Sequence, residues 1–330
     1  MSSNRKKTRR YSFVFVCQRG ELEGMALLLA ASLKRYLRCD YELIAAVPTP
    51  ESRFGTLRPL TRRLLDKMQV RVETIYNPIK GDQKGDLLTN KIHCFGLPFN
   101  GDKVVFLDSD ILCLREFHDE ARFDTPFNAA PTFRATGRNW ERVYAAVGME
   151  VPSDWMLTLF SNEWQPPYFN SGFAAIDANL AADLKNSWLE CFERITATGA
   201  MSDNLYYREQ VSMAVAVMKM GIKYDVLEEQ YNFWVKARPF DPENPPIFLH
   251  HTYPHPPIYN QPLLKDTVRS LVREYPGLDT LLEDCRWKYY LKSDFVVALY
   301  RSRFELKRKL KNFRKPFKRA QRIVLEALQS

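Results

Sequence analysis

Val104-Val105-Phe106-Leu107-Asp108-Ser109-Asp110 is the stretch on which the reading of this chain turns. Four apolar residues make a short buried strand, and it ends in two carboxylates separated by one residue. The sequence before it alternates between strand-like and helix-like segments. Tyr11 to Cys17 is β-rich and passes through a turn at Gly20 into a helical stretch over Gly24 to Leu37. Tyr41 to Val47 is a second strand, bounded by Pro48 and Pro50; Leu57 to Met68 has helical spacing, and Val70 to Ile75 is a third strand. Gly81 to Gly85 reads as a loop, Thr89 to Leu97 as a short helix and Lys103 to Leu107 as the fourth strand. This alternation predicts a parallel sheet with helices on both faces. In such sheets ligands bind beyond the carboxyl ends of the strands, so Asp108 and Asp110 project into the ligand crevice.

Carboxylates in that position suit a hard divalent cation, because Mg²⁺ and Mn²⁺ take oxygen ligands and are commonly shared with substrate phosphates. Two other readings of Asp-x-Asp stand beside this one. Acidic residues also end strands and cap helices without any further role. Phosphohydrolases place the same triplet after an apolar strand, but there it continues with Gly and Thr close to the N-terminus. Here Ile111 and Leu112 follow.

Composition narrows the classes. The chain has 330 residues, 45% hydrophobic and 13% aromatic, enough to bury a real core. Its six cysteines, Cys17, Cys39, Cys94, Cys113, Cys191 and Cys285, are scattered with no CxxC pair, which argues against a disulfide framework or structural zinc and for a reducing compartment. The best apolar run, Met25 to Ala31, is too short to span a bilayer and lacks a cleavage site. A cytoplasmic protein is expected. The net charge of +9 is concentrated at the ends: residues 1–10 carry five basic residues and no acidic one, and residues 301–322 carry eleven basic residues against Glu305. The body between them is mildly acidic, which argues against nucleic acid as partner.

Three further stretches carry ligand-type residues. Tyr168 to Asp177 reads as a strand interrupted by the polar step Asn170-Ser171-Gly172, where glycine permits close approach to a ligand and Asn170 and Ser171 offer hydrogen bonds to sugar hydroxyls; a bulge or turn would look the same. Arg208-Glu209-Gln210 precedes an apolar helix over Val211 to Met220, where Glu209 also suits the first turn. Pro246 to His251 is an apolar strand ending in two histidines, and a histidine at a strand end can complete a metal site or simply be structural. In the tail, Leu306, Leu310, Phe313, Phe317, Ala320, Val324 and Ala327 fall on one helical stripe among lysines and arginines, with Pro316 expected to kink or interrupt the helix. Such a helix suits an anionic membrane surface, or a helix packed on the body with a solvated basic face.

From about Tyr11 to His251 the ordered set resembles the glycogenin and lipopolysaccharide-galactosyltransferase family of retaining GT-A glycosyltransferases. The resemblance rests on an N-terminal strand, the helix Asn90-Lys91-Ile92-His93-Cys94-Phe95, the Asp-x-Asp, Asn170-x-Gly172, Glu209-Gln210 and the strand ending at His250. It implies a GT-A, Rossmann-like α/β fold with a mixed, mostly parallel central sheet for a transferase domain over 11–260, which the charge and tail patterns flank with a basic disordered arm over 1–10 and a helical extension with a basic amphipathic tail over 261–330. It also implies Mn²⁺ or Mg²⁺ on Asp108, Asp110 and His250, His250 being favoured over His251 because it continues the strand register. Donor contacts would come from Val16, Cys17, Gln18, Lys91, Asp108, Ser109 and Gly172, and the reacting sugar would lie near Asn170, Glu209 and Gln210. The implied reaction moves a hexose from a nucleotide-diphosphate sugar, with UDP favoured, to a glycan or lipid-linked acceptor with retention. On the membrane reading of the amphipathic tail, which the resemblance does not cover, residues 301–328 would rest on the inner face of a membrane. The family follows its histidine with glycine and Lys-Pro-Trp, whereas this chain has His251-Thr252-Tyr253-Pro254-His255; His255 or Lys265 is the expected replacement for the phosphate-binding lysine. The missing lysine also leaves open a nucleotide-sugar-binding protein of the same fold with little turnover.

Overall fold

The structure, a computed structural model, describes residues 9–81, 83, 85–119, 123–133, 139–235, 238–251 and 261–327, with side chains described as far as residue 310. Its strands are β1 (Arg10–Val16), β2 (Asp40–Thr49), β3 (Arg71–Tyr76), β4 (Lys103–Leu107), β5 (Ile111–Cys113), β6 (Phe127–Pro131), β7 (Met156–Leu157), β8 (Trp164–Gln165), β9 (Phe169–Asp177), β10 (Tyr224–Val226), β11 (Phe233–Trp234) and β12 (Phe248–His250). The helices are α1 (Glu21–Tyr36), α2 (Glu51–Phe54), α3 (Pro59–Lys67), α4 (Asn90–Cys94), α5 (Trp140–Ala145), α6 (Ala181–Ala197), α7 (Arg208–Met220), α8 (Pro262–Glu274), α9 (Leu278–Leu282) and α10 (Asp294–Ala327).

A seven-stranded sheet runs in the order β10-β6-β9-β4-β1-β2-β3. β1 pairs in parallel with both β2 and β4, β2 with β3, and β10 with β6; β9 alone is antiparallel to its neighbours, β4 and β6. The sheet is therefore mixed but mostly parallel, with the GT-A, Rossmann-like architecture that the sequence implied. The strands alternate sides as their two-residue period requires. Phe13, Phe15, Cys17, Val105 and Leu107 join α1, α3, α8 and α9 in one core. Val14, Val16, Val104 and Phe106 join α4, α6 and α7 in the other. The strand order reverses direction between β1 and β4, which opens a crevice at their carboxyl ends. Ser109 closes its floor by donating from Oγ to the Val16 carbonyl at 2.5 Å.

A small second sheet, β11-β12-β5, crosses beside this point. β12 is antiparallel to β5, with His250 opposite Ile111, so the end of β12 returns to the residues that follow β4. The His251 amide donates to the Asp110 carbonyl at 3.1 Å.

Residues 261–300 are tied into the body. Leu264, Val268, Leu271, Leu278 and Leu281 are buried in the core around α1. Gly24 of α1 permits this packing, because a Cβ there would lie 2.6 Å from the Leu281 carbonyl oxygen. α10 is rooted by buried Val297 and by Tyr300 stacked on Tyr289 at 4.0 Å, then continues through Pro316 without the expected interruption. All six cysteines are free thiols.

Candidate active site

Strand ends from three directions converge on the crevice. Leu107 pairs with Phe173, which brings Gly172 of β9 against Asp108, and the Asp108 amide donates to the Gly172 carbonyl at 2.8 Å. β9 runs unbroken through Asn170-Ser171-Gly172, where an interruption was expected; the irregularity lies in its pairing with β6, whose register shifts between Ala129 and Pro131. Asn170 Oδ1 accepts from the Gly172 amide at 2.9 Å, so this asparagine is turned partly onto its own strand. A Cβ at Gly172 would sit 2.4 Å from His250 Cε1 and 3.0 Å from Asp108 Oδ2, so only glycine leaves this junction open.

Asp108, Asp110 and His250 each offer a ligand atom, and those atoms lie within 4.8 Å of one another, the metal-type cluster found among the described residues. His250 Nε2 is 3.3 Å from Asp110 Oδ1 and 3.7 Å from Asp108 Oδ2. It is buried and makes no hydrogen bond, while Nδ1 faces Asn232 Oδ1 at 2.8 Å. An acceptor at Nδ1 places a proton there, so Nε2 is the nitrogen turned toward the two carboxylates. Burial works against charge on His250, but Asp110 outweighs it and raises the imidazole above its ordinary value. Two carboxylates and an imidazole that gives up its Nε2 proton suit a divalent ion such as Mn²⁺ or Mg²⁺. His251 takes no part in this cluster. Its Nε2 lies 2.8 Å from the Tyr290 hydroxyl, its ring stacks on Trp287 at 4.2 Å, and burial pushes it down to about 4.

A second set of charged groups adjoins the first. Lys91 of α4 puts Nζ 2.9 Å from each Asp108 carboxylate oxygen, 3.2 Å from Ser171 Oγ and 4.0 Å from Glu209. Burial disfavours its charge, yet Asp108 and Glu209 more than compensate and hold the ammonium well above its usual range. Glu209, in the first turn of α7, accepts from Ser171 Oγ at 3.1 Å; burial pushes its carboxyl up to about 7, Lys91 opposing and Asp108 adding to the rise. Gln210 beside it donates to the Tyr168 hydroxyl at 2.5 Å. The helix is fixed by Trp188, whose Nε1 donates to the Glu209 carbonyl at 2.9 Å, and by buried Arg208, which reaches Asp86 at 2.6 Å.

These groups line one pocket of about 590 Å³. Of the residues singled out in the sequence, Val16, Lys91, Asp108, Ser109, Asp110 and Asn170 lie on it, as do Gly172, Glu209, Gln210 and His250. Cys17 does not: it follows Val16 by one residue, points to the opposite face and is buried in the core beside α1. Gln18 is also off the lining and accepts from Asn90 Nδ2 at 3.3 Å. Lys265 bonds Asp294, at the root of α10. His255 lies outside the described residues. The pocket also takes Phe133, Trp234, Tyr206, Tyr207, Arg286 and Trp287, none of which the sequence singled out. Trp234 is one that pairing explains, since it lies in register with His250 across β11 and β12.

Residues 13–221, more than half of the chain, match the family model described as the Rhodobacterales glycosyltransferase domain. No curated protein matches the chain. The matched span includes the Asp pair, Lys91, the Asn170–Gly172 step and Glu209-Gln210, and stops before His250.

Proposed function

This chain belongs to that glycosyltransferase family, and we propose that it moves a hexose, with a divalent ion, from a nucleotide-diphosphate sugar to a glycan or lipid-linked acceptor. Within the family we place it beside the glycogenin and lipopolysaccharide-galactosyltransferase type, with UDP as the favoured nucleotide. The observation that carries this reading is the cluster of Asp108, Asp110 and His250 at the switch point between β1 and β4. A metal there would neutralise the diphosphate and stabilise the charge that develops as it leaves.

The protein's own residues take the remaining roles. Val16 and Ser109 form the crevice wall on the β1 side, where the nucleoside would lie. Lys91 holds Asp108 in place and balances the charge of Glu209. Asn170, Glu209 and Gln210 position the sugar near the cluster. Gln210 is a carboxamide and cannot take a proton from the acceptor. The resemblance to the glycogenin type implies retention, in which the acceptor hydroxyl approaches on the face that the diphosphate leaves and gives its proton to the departing phosphate oxygen.

Incubation with Mn²⁺ and a panel of nucleotide sugars, with free nucleoside diphosphate as the readout, tests this. Release from one donor supports transfer chemistry and names the sugar. Thermal stabilisation by a donor with no turnover would favour a binding protein, and phosphate release from simple esters a phosphohydrolase.

The same reading puts the enzyme on the cytoplasmic face of a membrane through residues 301–328. Among the described residues no helix is long and apolar enough to cross a bilayer. Leu299, Leu306 and Leu310 are exposed on α10 amid Arg301, Arg303, Lys307, Arg308 and Lys309, which is how a surface-lying basic helix is built.

A further inference from the structure

The charge balance of the pocket leaves one group without an assignment. Asp108, Asp110, Glu209 and Glu21 bring carboxylates to its lining, while Lys91 and Arg286 bring the side chains that stay cationic. Lys91 is committed, being buried and in contact with Asp108. His250 faces the two aspartates, and His251 is neutral at physiological pH. A diphosphate entering this acidic pocket needs positive charge beyond a divalent ion. The Arg286 side chain is exposed on the pocket wall; Tyr300 at the root of α10 feels its charge, but among the described residues no carboxylate pairs with it.

Its backbone is fixed from two sides. Arg286 opens the 3-10 turn Arg286–Tyr290. The next residue, Trp287, is buried and stacks on His251, and Tyr290 bonds the same histidine. His251 in turn bonds the Asp110 backbone, so the turn is linked through one buried ring to the strand end that carries the metal-type cluster. On the chain's other side, Asp284 pairs with Arg58 at 2.6 Å and Leu281 packs against Gly24 of α1. A guanidinium on a fixed backbone at the pocket wall suits bidentate recognition of phosphate.

We infer that Arg286 is the phosphate-binding cation of this site, taking the diphosphate of the nucleotide sugar and of the nucleoside diphosphate product. It supplies the charge that Lys265, paired with Asp294, is not placed to supply; His255 lies outside the described residues. The inference rests on the nucleotide-sugar reading, and Arg286 lies outside the span of the family match.

Calorimetry on the full chain with Mn²⁺ tests it, using UDP, GDP and ADP and the matching nucleosides as probes. Wild type should bind one diphosphate more tightly than its nucleoside. Arg286→Ala should weaken that diphosphate roughly 10- to 100-fold, the range for a charge-assisted phosphate contact, and leave the nucleoside unchanged; Arg286→Lys should fall between. Diphosphate binding by Arg286→Ala equal to wild type overturns the assignment while the nucleotide-sugar reading stands. Equal losses for nucleoside and diphosphate overturn it too, since they mark a collapsed pocket wall. Wild type binding none of the three diphosphates removes the nucleotide-sugar reading and this assignment with it.

Discussion

His250 shows how a single side chain is prepared for a ligand. Its ring is buried, one nitrogen is held by Asn232, and the other faces two carboxylates without a hydrogen bond. An imidazole with its remote nitrogen anchored is the better metal ligand, because ring orientation and tautomer are settled before the ion arrives. Asn232→Ala should therefore weaken Mn²⁺ binding about 10- to 100-fold while leaving the fold intact, as a calorimetric Mn²⁺ titration would read. An unchanged affinity would mean that Asn232 does not orient the ring. Asp108, Asp110 and His250 were legible in the sequence because each stands at the end of an apolar strand. Asn232 was not, since its role exists only once β11 and β12 pair and bring residues 18 apart into contact. Cys17 was misplaced by the alternation of strand faces: Val16 meets the pocket and Cys17 the core behind it.

At the scale of elements, the crevice depends on how α1 is held after β1. Glu23, in the first turn of α1, has a side chain with no exposed surface and accepts from the Arg58 amide at 2.7 Å, from Arg58 Nε at 2.8 Å and from Thr61 Oγ1 at 2.8 Å. It joins the start of α1 to the start of α3. Burial would raise its carboxyl, but these hydrogen bonds win and hold it below its ordinary value of 4.5. A depressed carboxylate contributes stability that is full above the unfolded value and is lost as pH falls through the folded one. Glu23→Gln should thus lower stability by about 1–3 kcal/mol at neutral pH, and the gap from wild type should close as pH drops below about 4.5. Thermal melts across that range would show it; a gap independent of pH would assign the loss to packing.

The elements up to β4 were readable because a period of two in the strands and a helical period between them are local signals. The helix after β1 begins at Glu21, three residues before its expected start at Gly24, because Glu23 closes the first turn by reaching back to the Gly20 amide. The antiparallel entry of β9 could not be read, since strand direction is set by the connection from β6 and not by the residues of the strand.

For the molecule as a whole, one wall of the pocket comes from beyond the family-matched span. Trp287 and Arg286 reach it because α8 and α9 share the core of α1, a long-range packing that no local pattern announces. The distribution of charge, by contrast, was plain in the sequence, and it gives the tail its own prediction. Deleting residues 301–330 leaves the anchors Val297 and Tyr300 in place, so the body should stay folded. Co-sedimentation with phosphatidylglycerol vesicles should drop at least about tenfold, given roughly 1 kcal/mol per basic residue near an anionic surface. Unchanged co-sedimentation would remove the membrane from the proposal.

The most direct test of the metal-assisted transfer proposed for Asp108, Asp110 and His250 is the rate at which free nucleoside diphosphate appears from the preferred donor, with Mn²⁺ and in chelator, for wild type and Asp110→Ala. A metal that stabilises the departing diphosphate by several kcal/mol corresponds to a rate loss of at least about 100-fold without it. Wild type should lose that much in chelator and recover with added Mn²⁺, whereas Asp110→Ala should stay low under both conditions. Full wild-type turnover in chelator would contradict a metal-assisted role for the Asp108-Ser109-Asp110 strand end.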